Sequence, residues 1–143
     1  MREILFRAKA INRGFDKEYR TNYKNGDWVY GLVTTMYDDR FSSLPAKMKN
    51  TDGVNGIDVD YKTIGEYTGL TDKNGTKIFE GDIIQSYHHG EPMGVASVYW
   101  SGASFGCNLL SGSQFGYGTL DDWNFDCSLE IIGNVYDNPE LIS

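Results

Sequence analysis

At 143 residues the chain is long enough to bury an apolar core without disulfide or metal staples, and it reads as one domain or as two small subdomains sharing a core. Ten tyrosines and seventeen glycines against three prolines suit short twisted strands joined by glycine turns and exclude a mainly helical protein. A net charge of −7 argues against broad nucleic-acid binding, whose affinity comes from neutralised phosphates, and no run approaches the roughly 18 apolar residues of a membrane span.

The chain opens with Ile4, Phe6 and Ala8 alternating with Glu3, Leu5, Arg7 and Lys9, a strand pattern with one apolar face. Asn12-Arg13-Gly14 breaks it. Phe15 to Gly26 is polar and reads as a hairpin or loop closed by Asn25-Gly26-Asp27. Trp28 to Thr35, with Val29, Tyr30, Leu32 and Val33 ahead of two threonines, predicts a substantially buried strand. From Met36 to Gly56 the composition turns to Asp, Ser, Lys, Asn and Gly around Leu44-Pro45, which predicts a long surface excursion. That excursion ends an N-terminal lobe, residues 1–56. A C-terminal lobe, 57–143, follows it, either alone or as one cooperative unit with residues 1–10.

Ile57, Val59 and Tyr61 alternate with Asp58, Asp60 and Lys62 and restore a strand. In IGEYTGLTDKNGTKIFEGDII, Ile64 to Ile84, the run Asp72-Lys73-Asn74-Gly75 separates two strand-like arms and predicts a hairpin. The turn is type I′ on Asn74-Gly75, or type I from Asp72 with Gly75 as a left-handed bulge residue. The preference of Asp for the first turn position favours the second. Glu80-Gly81-Asp82 then reads as a kink or turn into a new strand, Ile83 to Tyr87. A loop from His88 to Gly94, a strand from Val95 to Trp100, a turn at Ser101-Gly102 and a strand from Phe105 to Leu110 follow. This order matches a small SH3-like or partly open barrel. Ser111 to Asp126 reads as irregular, Leu129 to Tyr136 as the last strand, and Asn138-Pro139-Glu140 as a cap, a first-turn proline and a short terminal turn. The fold class is therefore mainly β, of short antiparallel strands and hairpins with little helix.

The run EYTGLTDKNGTKIFEGDII, the opening MREILFRA and the closing EIIGNVYDNPEL together resemble the YopX family of phage and prophage proteins. The resemblance implies a phage origin and the cytoplasm of a host bacterium, and it carries no catalytic or binding residues to transfer. In that compartment Cys107 and Cys127 are expected to stay reduced.

Candidate chemistry is sparse. His88, His89 and Glu91 offer zinc-type ligands, but neighbours on a strand point to opposite faces and no third ligand stands at motif spacing. Asp121, Asp122 and Asp126 lack the glycine and closing glutamate of a calcium loop. Cys107 has no activating base beside it, and Glu80 and Asp82 fit a turn better than an acid–base pair. No catalytic residue, cofactor or metal is expected, and the protein reads as a non-enzyme.

Charge is more informative. Between Met1 and Lys24 seven basic residues stand against three acidic ones, net +4, whereas from Ile78 to Ser143 there are nine acidic residues and no Lys or Arg, net −9. The expected interaction surface combines Arg2, Arg7, Lys9 and Arg13 with Phe115, Tyr117 and Trp123. For the aromatic set, which includes Phe125, core packing is the competing assignment. The expectation is a self-associating factor that binds a host or phage protein. The alternative is a nucleic-acid accessory protein using the basic segment, which the net charge disfavours. Opposite charge would bring head to tail, with MREILFRA and EIIGNVYDNPEL pairing as strands within or between chains.

Overall fold

A computed structural model describes residues 3–11, 23–36, 45–112 and 118–142. The expected loop from Phe15 falls mostly outside them, as do Arg2, Arg13, Leu44, Phe115 and Tyr117. The fold is mostly β, with antiparallel sheets and little helix. The chain divides into two compact units, Met1–Glu66 and Tyr67–Ser143.

The first unit contains β1 (Phe6–Lys9), β2 (Trp28–Thr35), β3 (Ala46–Asn50) and β4 (Ile57–Val59), a single 3-10 turn at Tyr61–Thr63, and the start of β5 (Gly65–Thr71). The strands run antiparallel in the order β4-β3-β2-β1, and Gly65 and Glu66 of β5 lie on the other side of β1. The sheet curls far enough for Val59 to bridge Ala10. There the Ile11 N–H donates to the Asp58 carbonyl at 2.9 Å and the Asp60 N–H to the Lys9 carbonyl at 2.9 Å. Alternation sends Ala8, Val29, Ala46, Met48, Ile57 and Val59 to one face, where with Ala10 they form a core. Small residues at three of these places let the curled strands approach. Gly31 has the same function, since a Cβ there would fall 1.9 Å from the Lys49 carbonyl oxygen.

Several expectations change here. The stretch from Met36 to Gly56 is not one long excursion, because Ala46-Lys-Met-Lys-Asn alternates apolar and lysine positions and becomes β3. β4, placed by sequence in the C-terminal lobe, pairs with β3 in the first unit. β2 is half-buried rather than substantially buried, with Val29 fully covered but Tyr30 and Leu32 exposed. The apolar face expected for β1 fails at Ile4, which is 67% exposed, while Leu5 and Arg7 are buried.

In the second unit β5 continues into a hairpin with β6 (Lys77–Phe79). Gly75 has φ +83°, its N–H donates to the Asp72 carbonyl at 3.0 Å, and the Asp72 N–H donates to the Thr76 carbonyl at 2.8 Å. This is the type I turn with a left-handed bulge residue. β7 (Asp82–His88), β8 (Glu91–Trp100), β9 (Phe105–Gly112) and β10 (Ser128–Asn134) form a second antiparallel sheet, ordered β10-β7-β8-β9 and open at β9 and β10. Ile78, Ile84, Ala96, Val98, Phe105, Cys107 and Leu129 form its core together with Leu120 and Trp123 of α1 (Leu120–Asp126).

The loop expected at His88 to Gly94 is a two-residue turn. His88 pairs with Glu91, and His89 and Gly90 take φ +50° and +82°, as a type I′ turn requires. The region expected to be irregular contains α1. Its signal is the capping box Thr119-Leu120-Asp121-Asp122, in which the Asp122 N–H donates to Thr119 Oγ1 at 3.1 Å and the Thr119 N–H to Asp122 Oδ2 at 3.3 Å. Pro139 does open a final 3-10 turn, Pro139–Ile142. Among the described residues β1 pairs with β2 and β5, and β10 pairs with β7.

Candidate interaction face

The outer side of the first unit's sheet follows from the same period of two. If Ala8, Val29, Met48 and Ile57 point inward, then Arg7 and Lys9, Trp28, Tyr30 and Leu32, Lys47 and Lys49, and Asp58 point outward. The register sets them side by side: Lys9 opposite Trp28, Arg7 opposite Tyr30, Leu32 opposite Lys49, and Lys47 opposite Asp58. Among the described strand residues, four cations and three large apolar groups thus share one face with the carboxylate of Asp58, which is bound to Lys47.

The cations are not equivalent. Arg7 lies with its guanidinium 4.3 Å from the centre of the Trp28 ring, and the Lys9 ammonium is 5.0 Å from the same ring. Such cation–π contacts stabilise by about 0.5–2 kcal/mol depending on desolvation, and Arg7 is only 6% exposed. Lys9 also donates to the Gly26 carbonyl at 3.2 Å. The accessible centre of the face is Tyr30, 39% exposed, Leu32, 49% exposed, and the exposed Lys49 beside Leu32.

Of the residues predicted to form an interaction surface, Arg7 and Lys9 lie on this face. Trp123 does not reach a surface at all, being 2% exposed inside the second unit's core, with Gly118 against its indole. Arg2, Arg13, Phe115 and Tyr117 lie outside the described residues. Sequence reasoning missed Tyr30, Leu32, Lys47 and Lys49. Their signal was the alternation in Trp28–Leu32 and Lys47-Met48-Lys49, readable only once β3 is known to be a strand.

In the second unit the hairpin turn meets β10. Asp72, 7% exposed, accepts from the N–H groups of Asn74 and Thr76 through Oδ1 and from that of Ile131 through Oδ2. The Lys73 N–H donates to the Leu129 carbonyl at 2.7 Å. Beside this contact Tyr87 donates to Glu130 at 2.9 Å, and the Lys73 ammonium lies 4.4 Å from the Tyr87 ring and 3.9 Å from the Glu130 carboxylate. The hydrogen bond to Glu130, then burial, then the Glu130 charge raise the Tyr87 pKa. Asp82 accepts from the Phe79 N–H at 2.8 Å, so it closes the Glu80-Gly81 turn.

Reactive chemistry is weakly supported. Burial, and then the charge of Asp122, push the Cys107 thiol up to about 12, away from thiolate character at neutral pH. The rings of His88 and His89 meet edge to face at 4.2 Å. Among the described residues no group of three His, Cys, Asp or Glu side chains is placed to hold a metal ion, and no helix is long and apolar enough to cross a membrane.

A family model described as YopX protein matches residues 12–143. Among solved structures, the chain is similar to the crystal structure of protein EF1440 from Enterococcus faecalis, at 22% identity, covering 100% of both chains with a TM-score of 0.54, a likeness of fold. A comparison with curated proteins finds no match.

Proposed function

The chain belongs to the YopX family, and from that premise we propose that it is a non-catalytic accessory factor, encoded by a phage or prophage, that acts in the host cytoplasm by binding proteins through the outer face of β1, β2 and β3. The observation that carries this reading is the exposed Tyr30–Leu32 centre beside the exposed Lys49, with the half-buried Lys9 and Lys47 at its margin. An aromatic and aliphatic centre with a charged rim is the composition of a protein interface, and the rim selects an acidic partner. Stacking of nucleic-acid bases needs uncovered aromatic faces, whereas Trp28 already faces both Arg7 and Lys9.

Capture of partners from infected cells, with mass spectrometry, tests it. The intact chain is expected to retain a defined acidic protein, and Tyr30→Ala with Leu32→Glu to lose it while the fold persists. Retention of DNA or RNA that weakens steeply with salt and disappears in a folded Lys49→Glu variant would instead favour the nucleic-acid reading.

A further inference from the structure

The first unit carries eleven Lys or Arg residues against ten Asp or Glu, and the second carries two against ten, so the two units have net charges of +1 and −8. The second unit therefore has the acidic character the outer face selects. Among its described residues the most exposed large apolar side chain is Phe125, at 89%. The helix explains this exposure. Leu120 and Trp123 are the core-facing residues of α1, at 1% and 2% exposed, which leaves Asp121, Asp122 and Phe125 on the solvent side. Asp121 and Phe125 are four residues apart and so lie one above the other on the helix.

Each surface thus has an apolar group beside a charge, and the charges are opposite: Leu32 with Lys49 directly across from it in the sheet, Phe125 with Asp121 one helical turn away. We infer that a second copy of this chain occupies the outer face, its α1 seating Phe125 against Leu32 and Tyr30 while Asp121 meets Lys49. This deepens the proposed protein-binding role and rests on the same face. The contact joins unlike surfaces, so it is head-to-tail, and each copy keeps one unused half on which a further copy can add. It also competes with any other acidic partner for Leu32 and Lys49. Oppositely charged rims make it weaken with salt.

Light scattering of the full chain over a concentration series, at low and high salt, tests this. The molar mass is expected to rise with concentration at low salt and to fall toward the monomer at high salt. Phe125→Ser and Leu32→Glu alter exposed side chains, and each alone is expected to be a folded monomer by circular dichroism and scattering. Mixed in equal amounts they restore one intact contact, the Phe125→Ser copy supplying the face and the Leu32→Glu copy the helix. The mass should then double and grow no further. Lys49→Glu is an independent check and should also give a monomer. A wild-type monomer at both salt concentrations, variants that still assemble, or a mixture that stays monomeric overturns the inference. Phe125→Ser should still capture the partner of the proposed function and Leu32→Glu should not, so partner capture lost in neither variant would overturn the face itself rather than its occupant.

Discussion

The carboxylate of Asp72 accepts a hydrogen bond from the backbone N–H of Ile131 at 3.1 Å, across 59 positions of sequence. With the Lys73 N–H donating to the Leu129 carbonyl, the turn presents one acceptor and one donor to the outer side of β10, as a neighbouring strand would. β10 is an edge of its sheet, and an uncovered edge invites pairing with other chains. The Asp72–Gly75 turn therefore covers part of the edge of the strand that carries the closing segment.

Removing that carboxylate is expected to be costly. Asp72→Ala loses three hydrogen bonds to a charged acceptor and should destabilise by about 3 kcal/mol, taking bonds of this kind as about 1.5–3 kcal/mol each and not additive. Asp72→Asn keeps one oxygen for the turn but leaves Ile131 facing an amide donor or the turn lacking its acceptor, and should cost about 1–3 kcal/mol. Chemical denaturation compares both with wild type. An unchanged midpoint for Asp72→Ala would remove the lock.

Gly75 allows a separate test of the same turn. Nothing lies within 4 Å of a Cβ built there, so any cost comes from the backbone at φ +83°. Gly75→Val should lose about 1–3 kcal/mol of stability, and Gly75→Asn clearly less, because Asn tolerates the left-handed region. Equal losses in thermal melts would mean that something other than φ sets the cost.

The buried thiol predicts both reactivity and pH dependence. Cys107, held up to about 12, should resist iodoacetamide in the native protein at mildly alkaline pH, while the half-buried Cys127 reacts first; both should react in denaturant. The folded state holds this proton more tightly than the unfolded chain, whose thiol has the ordinary value of 9.0. Its stabilising contribution is thus complete below about pH 9 and is lost as pH rises toward 12. Tyr87 acts in the same direction above its ordinary value of 10.0. Denaturation midpoints should fall over that range, and less steeply in Cys107→Ala.

The cap of α1 matters because the helix has only 7 residues, about two turns. Thr119→Ala removes the side chain that accepts from the Asp122 N–H and should cost about 1 kcal/mol. Thr119→Ser should cost much less. If head-to-tail docking uses α1, the alanine variant also assembles more weakly than the serine variant in the same scattering measurement.

Much of the local structure is legible in the sequence. β2, β4 and β8 announce themselves by β-branched and aromatic residues, and the Asp72–Gly75 turn by two residues whose conformational preferences act within four positions. β3 was hidden because Ala, Lys, Met and Asn are weak strand formers, so its alternation carries meaning only beside β2 and β4. The helix was hidden differently: its capping box stood in plain view in a region whose glycines and aromatic residues suggested irregular chain.

Trp123 and Phe125 show where sequence stops. Two residues apart on a helix they must point to different sides, and that much follows from 3.6 residues per turn. Which side is covered depends on the strands that α1 packs against, β9 and β10, so the same spacing leaves Trp123 in the core and Phe125 in solvent. The interaction face is decided in the same way. Lys49 and Leu32 are seventeen positions apart, and only the register of β3 against β2 makes them neighbours. Local preferences are properties of a few adjacent residues and survive in the sequence. Burial and cross-strand neighbours are properties of two distant segments meeting, and they exist only once the chain has folded.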